Sequence, residues 1–157
     1  MAKRNLPIGI EFYKKVIDEA YFYVDKTLII KELLDRQSYV NLFTRPRRFG
    51  KTLALDMLKT FFEDEIDEKG NAVDNSRYFA DKKIMDAGNQ YIQHMGRYPV
   101  IYLSFKSSKQ ADWDTTLWMI KKQIAEEYIR HQYVLQTDDL LEVEKNLYRN
   151  IMSLSDD

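Results

Sequence analysis

The sequence contains no cysteine, which removes disulfide frameworks, thiolate metal sites and a cysteine nucleophile in one step. It also lacks an excess of charge of either sign. Its 24 basic and 25 acidic residues leave a net charge of -1, so affinity for nucleic acid or an anionic membrane must come from a local cluster, not from the whole chain. No run approaches the roughly 20 consecutive apolar residues of a spanning helix. The N-terminus starts basic, but Glu11, Lys14, Lys15 and Asp18 interrupt it before a secretory signal core can form. Histidine is scarce too: His94 and His131 fall in separate predicted helices without clustered carboxylates, which argues against a metal site. The expectation is a soluble cytoplasmic protein with no membrane partner. At 157 residues, 45% hydrophobic and 31% charged, it reads as one globular domain.

What is present alternates between two hydrophobic periods, with no internal repeat. Residues 11 to 22 predict a short helix, and "YVDKTLIIKELLDRQ" predicts a second, with Asp25 or Thr27 placed to cap its start and Leu28, Ile29, Leu33 and Leu34 on one side. "SYVNLFT", Ser38 to Thr44, is β-rich and predicts a buried strand. From Leu53 the period becomes helical, with Leu55, Leu58 and Phe62 in register and Ala54 and Phe61 beside them. "EDEIDEKGNAVDN" predicts a solvated excursion; its acids lack the ligand alternation and glycine placement of a calcium loop. "DAGNQYIQHMG" predicts a short helix ended by Gly96, and "YPVIYLSF" a second buried strand with Pro99 near its start. Two helices close the chain, one carrying Trp113, Leu117, Ile120, Ile124 and Tyr128, the other Leu140, Val143, Leu147, Ile151 and Leu154. Strands alternating with helices predict an α/β class, with the aromatic residues at apolar positions as core.

The chemistry concentrates in the turn "TRPRRFGKT". A phosphate-binding loop of the form G-x-x-x-x-G-K-[ST] aims backbone N–H groups at phosphates where a helix dipole also favours an anion. Gly50 takes the second glycine place, Lys51 supplies the charge that reaches the β/γ-phosphates, and Thr52 supplies a hydroxyl for magnesium. The first glycine place holds Arg45, and Pro46 restricts the backbone on both sides of itself. The strand before and apolar helix after this turn are the context the motif requires. The candidate cofactor-binding set is Arg45, Pro46, Arg47, Arg48, Phe49, Gly50, Lys51, Thr52 and Leu53, with Thr52 as the metal ligand. Arg47 and Arg48 have two readings, as phosphate or neighbouring-subunit contacts and as charges that face solvent.

"LPIGIEFYKKVIDEAYFYVDKTLIIKELL" followed by "VNLFTRPRRFGKTLALDMLKTFF" resembles the N-terminal part of the bacterial AAA-ATPase-like family, whose longer members commonly end in a PD-(D/E)XK nuclease-like domain. The resemblance covers essentially the whole chain, and "YVDKT" and "TRPRRFGKT" are its most specific pieces. It implies an AAA-type P-loop NTPase fold, ATP as ligand and magnesium as cofactor. By the same resemblance, Arg45 is a familial variant, Asp25, Lys26 and Thr27 frame the nucleotide pocket, and a complete member carries a later strand ending in an acidic Walker B pair.

No such pair follows an apolar run here. "PVIYLSF" ends in Ser104, Phe105 and Lys106, and the adjacent Asp138 and Asp139 sit at a predicted helix start, where N-capping is the plainer role. Residues 1–157 are therefore expected to be the N-terminal portion of an incomplete P-loop domain, with the Walker B strand, later strands and catalytic acid downstream. That leaves the catalytic residues unknown and a homo-oligomer possible through unpaired strand edges. Two functions remain open: nucleotide binding as part of an ATPase module, and a nucleic-acid-binding or nuclease-associated module that sets the basic turn Arg45–Lys51 on a phosphate backbone, directly or through a downstream domain.

Overall fold

A computed structural model of the chain describes residues 5–44, 46, 48–67, 69–106 and 111–154. It divides after Val100 into two compact units. The first holds helices α1 (Tyr13–Asp18), α2 (Leu28–Arg36), α3 (Lys51–Phe62) and α4 (Asn89–Ile92), with 3₁₀ turns at Ser76–Tyr78 and Lys83–Asp86. The second holds α5 (Trp113–Arg130), a 3₁₀ turn at Gln132–Gln136 and α6 (Glu142–Ser153).

The expected α/β arrangement, an incomplete P-loop NTPase fold, does not form. Among the described residues there is no strand; the β pairing consists of two isolated bridges, Glu63 with Tyr98 and Ile66 with Ala72. Both segments read as buried strands, 38–44 and 98–105, run without a ladder. Tyr39, Val40, Leu42, Ile101 and Phe105 are all exposed. β-rich composition expresses a fit to a pleated, half-buried surface and acquires meaning only beside a partner strand. Neither segment has one, and Pro99 removes a donor from the second.

The first unit is instead organised by α3. Met57, Leu58 and Phe61 lie on one face of that helix and are buried with Tyr13 of α1, Ile30 of α2, and Tyr78, Phe79, Ile84 and Tyr91. Phe61 meets Phe79 edge-on with ring centroids 5.2 Å apart, and Tyr13 lies 5.3 Å from Phe79. Burial of this kind makes truncation of Phe61 to alanine worth about 3–5 kcal/mol. The Tyr13 hydroxyl, buried with the ring, donates to the Tyr78 carbonyl at 2.9 Å. Its N–H donates to the Asp56 carboxylate of α3 at 2.6 Å, which fixes the start of α1 to the middle of α3. The carbonyls ending α3 are satisfied by the returning chain: Gly96 N–H reaches Phe61 at 2.8 Å and Tyr98 N–H reaches Phe62 at 2.9 Å. Gly96 turns there with a φ of 63°, which glycine adopts without strain.

Several boundaries differ from the sequence reading. The helix expected over residues 11 to 22 is only α1, and α3 begins at Lys51, ahead of Leu53. The acidic excursion is not simply solvated. Glu63 is buried, and Glu65 pairs with Lys14 and accepts from Asn75 at 2.8 Å. Asp67 closes a turn by accepting from the N–H of Asn71 at 2.8 Å; Glu68 lies outside the described residues.

In the second unit α5 and α6 pack on each other. Asp112 caps α5 by accepting from Thr115 N–H at 2.8 Å. Tyr148 of α6 donates to the Tyr128 carbonyl of α5 at 2.9 Å, with the two rings 4.6 Å apart. Asp138 and Asp139 do not cap α6. Leu141 holds the N-cap position, where its N–H donates to Glu144 at 2.9 Å, and Asp139 engages Thr137. No helix among the described residues is long and apolar enough to cross a membrane.

Candidate functional site

The basic turn ends at Gly50, the N-cap of α3, with φ 71° and ψ 29°. A Cβ added to Gly50 would meet nothing within 4 Å. Glycine is therefore favoured there by its left-handed backbone, not by lack of room. Arg48, two residues earlier, is also left-handed at φ 68°. A residue with a Cβ pays of order 1 kcal/mol for that conformation. Lys51 and Thr52 open α3, and the first full helical bond runs from Ala54 N–H to the Gly50 carbonyl at 2.9 Å. The leading N–H groups of a helix have no partner within it, and the dipole puts partial positive charge at that end.

A cleft of about 360 Å³ lies beside this helix start, within the range of small-molecule sites. From α3 and its cap it is lined by Gly50, Lys51, Ala54, Leu55 and Leu58, the stripe that three- and four-residue steps from Lys51 place on one face. Lys26, Leu28, Ile29 and Glu32 line it from α2 and the turn before it, and Phe43 and Phe49 from the loop. Two ammonium groups from separate elements thus share one cleft with a single carboxylate. Two further clefts have a different charge. One, of about 370 Å³, is lined by Glu63, Asp64 and Asp74 without a basic residue. The other, of about 230 Å³, sets Asp25 and Asp81 against Lys82. Neither favours an anion as the α3 cleft does.

The "YVDKT" segment splits between scaffold and site. Asp25 accepts from Thr27 N–H at 2.9 Å, from the Thr27 hydroxyl at 2.7 Å and from Lys83 N–H at 2.9 Å. The fully buried Thr27 hydroxyl in turn accepts from Ile84 N–H at 3.2 Å. Burial pushes the Asp25 carboxyl up, but the Lys83 and Thr27 donors and the charge of Lys82 outweigh it and leave the group below its ordinary value. Asp25 and Thr27 therefore tie the start of α2 to the 3₁₀ turn at Lys83–Asp86, while the exposed Lys26 between them lines the cleft.

Of the residues proposed from sequence, Phe49, Gly50 and Lys51 line the cleft. Arg45 and Arg47 lie outside the described residues. Pro46 and Arg48 are exposed, Thr52 is half-buried in the first turn of α3, and Leu53 packs against the core. His94 stacks on Tyr98, and His131 is buried against Tyr133 at 3.1 Å. Among the described residues no group of three histidine or acidic side chains could hold a metal ion. Magnesium bound with phosphates needs no such group, since phosphate oxygens and water supply most of its ligands; Thr52 follows Lys51 in α3 but is not among the residues that line the cleft. Glu32 and Phe43 had no distinguishing pattern in the sequence. Glu32 is a charged residue on an amphipathic helix, and Phe43 fits a strand as well as a cleft wall.

A sequence model of the family described as "Predicted AAA-ATPase" matches residues 7–156. Over 63 residues the chain is 43% identical to a protein of Azotobacter chroococcum mcd 1 named "Uncharacterized protein in vnfD 5'region". That stretch is 40% of this chain and only 12% of the length of the relative. No solved structure matches the chain.

Proposed function

Because this chain belongs to the predicted AAA-ATPase family, we propose that it binds a nucleotide, ATP, in the cleft between α2 and the start of α3. The observation that carries the reading is the convergence of Lys26, Gly50 and Lys51 on one cleft at a helix N-terminus. Phosphates seated there meet two ammonium charges and the positive end of α3, while Gly50 leaves the approach clear of a side chain. Lys51 neutralises the outer phosphates, and Lys26 adds a second charge from the turn before α2. Thr52 would hold a magnesium ion that arrives with the phosphates, and that ion would spread the charge that develops on them. Pro46 and Arg48 are exposed in the turn that leads to Gly50.

Binding is the activity proposed for these 157 residues. Among the described residues that line the cleft the one carboxylate is Glu32, on α2.

Titration of the folded protein with ATP and magnesium tests this reading. Lys51→Ala should keep the helical circular-dichroism signal and weaken binding at least tenfold, about 1.4 kcal/mol. Unchanged affinity in a folded Lys51→Ala protein would remove the nucleotide assignment. Tight oligonucleotide binding that falls steeply with salt, and that ATP does not displace, would instead assign the basic turn to a nucleic-acid backbone.

A further inference from the structure

We propose that the apolar part of this cleft is a base seat, in which Phe49 and Phe43 hold a purine ring and Glu32 selects an amino group on it, so that adenine is preferred over hypoxanthine. The proposal rests on the nucleotide reading above and adds to it the recognition of the base.

A site for phosphate alone needs positive charge and backbone donors, and Lys26, Gly50 and Lys51 supply these. It does not need an apolar wall. Yet the remainder of the lining is almost wholly apolar, and Leu28, Phe49 and Leu55 in it are 40%, 57% and 43% exposed. Aromatic and aliphatic surface left open beside a cationic end matches a ligand with a flat apolar body and an anionic tail. Aromatic side chains bind bases by stacking on their faces.

The apolar lining comes from both helices. On α3 the cation Lys51 comes first, and Leu55 and Leu58 follow one and two turns later; on α2, Lys26 precedes the helix and Glu32 lies one turn beyond Leu28. Each turn advances about 5.4 Å. Along α2, then, Leu28 and Ile29 lie between Lys26 and Glu32. A carboxylate there accepts a hydrogen bond from the exocyclic amine of adenine. It opposes the carbonyl that hypoxanthine presents at the same place, since both groups are acceptors.

The test compares ATP, ITP and inorganic tripolyphosphate on the folded protein and on Phe49→Ala, Glu32→Gln and Lys51→Ala. Phe49 and Glu32 are exposed, so neither substitution disturbs the core. Phe49→Ala should weaken ATP and ITP by roughly tenfold, the scale of one base–aromatic stack, and leave tripolyphosphate unchanged. Glu32→Gln should erase the preference for ATP over ITP, because the amide both donates and accepts, without altering tripolyphosphate. If Phe49→Ala and Glu32→Gln bind all three like the parent while Lys51→Ala loses them, the base seat is wrong and the nucleotide site stands. If Lys51→Ala also binds all three like the parent, the underlying reading falls with it.

Discussion

Asp25 accepts hydrogen bonds from both the N–H and the hydroxyl of Thr27, at 2.9 and 2.7 Å. The residue between them, Lys26, is thereby anchored on both sides while its side chain stays exposed at the cleft. Three consecutive residues thus divide into two that hold the fold and one available to a ligand.

That division is measurable by substitution. Asp25→Ala removes the acceptor for Thr27 and Lys83 and should cost about 2 kcal/mol in urea denaturation. Lys26→Ala should change stability by no more than about 0.5 kcal/mol, as surface substitutions do, yet weaken ATP. A Lys26→Ala protein with parental ATP affinity would remove Lys26 from the site.

Asp56 should behave in the opposite sense to Asp25. Burial is the main influence on its carboxyl and raises its pKa, against the lowering effects of the Tyr13 N–H and of Lys59 and Lys14. A group raised in the folded state favours folding when protonated, and that advantage is lost as pH rises through the folded pKa. At neutral pH the charge is therefore a net cost. Asp56→Asn, which keeps an acceptor for Tyr13, should match or exceed the parent in stability at pH 7. Asp56→Ala should lose about 1 kcal/mol or more by leaving the Tyr13 N–H without its acceptor. A marked loss in the Asn variant at pH 7 would show that the charge itself is needed.

Glu65 carries the reverse linkage. Burial raises its pKa, but Asn75 and Lys14 outweigh burial and hold it below the ordinary value of 4.5. Its contribution is present above that value and disappears as pH falls through the folded pKa. Glu65→Gln should be less stable than the parent at pH 7, and the gap should close on acidification below 4.5. A gap of constant size from pH 7 to pH 3 would locate the effect in packing and not in the charge.

Thr52→Ala should leave magnesium-free nucleotide binding intact and remove the part that magnesium adds. Calorimetric titration with and without the ion reads both quantities. Identical enhancement by magnesium in parent and variant would take Thr52 out of the metal shell.

Helical periodicity was the readable part of this sequence. The rows in α2 and α3, and those that became α5 and α6, each fixed a helix to within a few residues, because an amphipathic stripe is a local property. Ser38 to Thr44 and Tyr98 to Phe105 misled, because strand character depends on a partner that composition does not name. Glu63 and Glu65 misled for a related reason: Lys14, which pairs with Glu65, is 51 residues away. In the cleft, Gly50 and Lys51 could be found from motif spacing, whereas Glu32 and Phe43 reach it only through the packing of α2 and the loop beside α3.

The hydrogen bond from Tyr13 to Tyr78 spans 65 residues, whereas that from Tyr148 to Tyr128 spans 20. Contacts close in sequence form quickly, and those that close long loops form slowly. The hairpin of α5 and α6 can therefore assemble early during refolding, while the core around Phe61 waits for its two ends to meet. During synthesis α3 emerges after Tyr13 and Ile30, but its apolar face is not fully covered until Tyr78, Phe79 and Tyr91 follow. A ribosome paused between those positions would hold the chain with part of that face open, a form prone to aggregate.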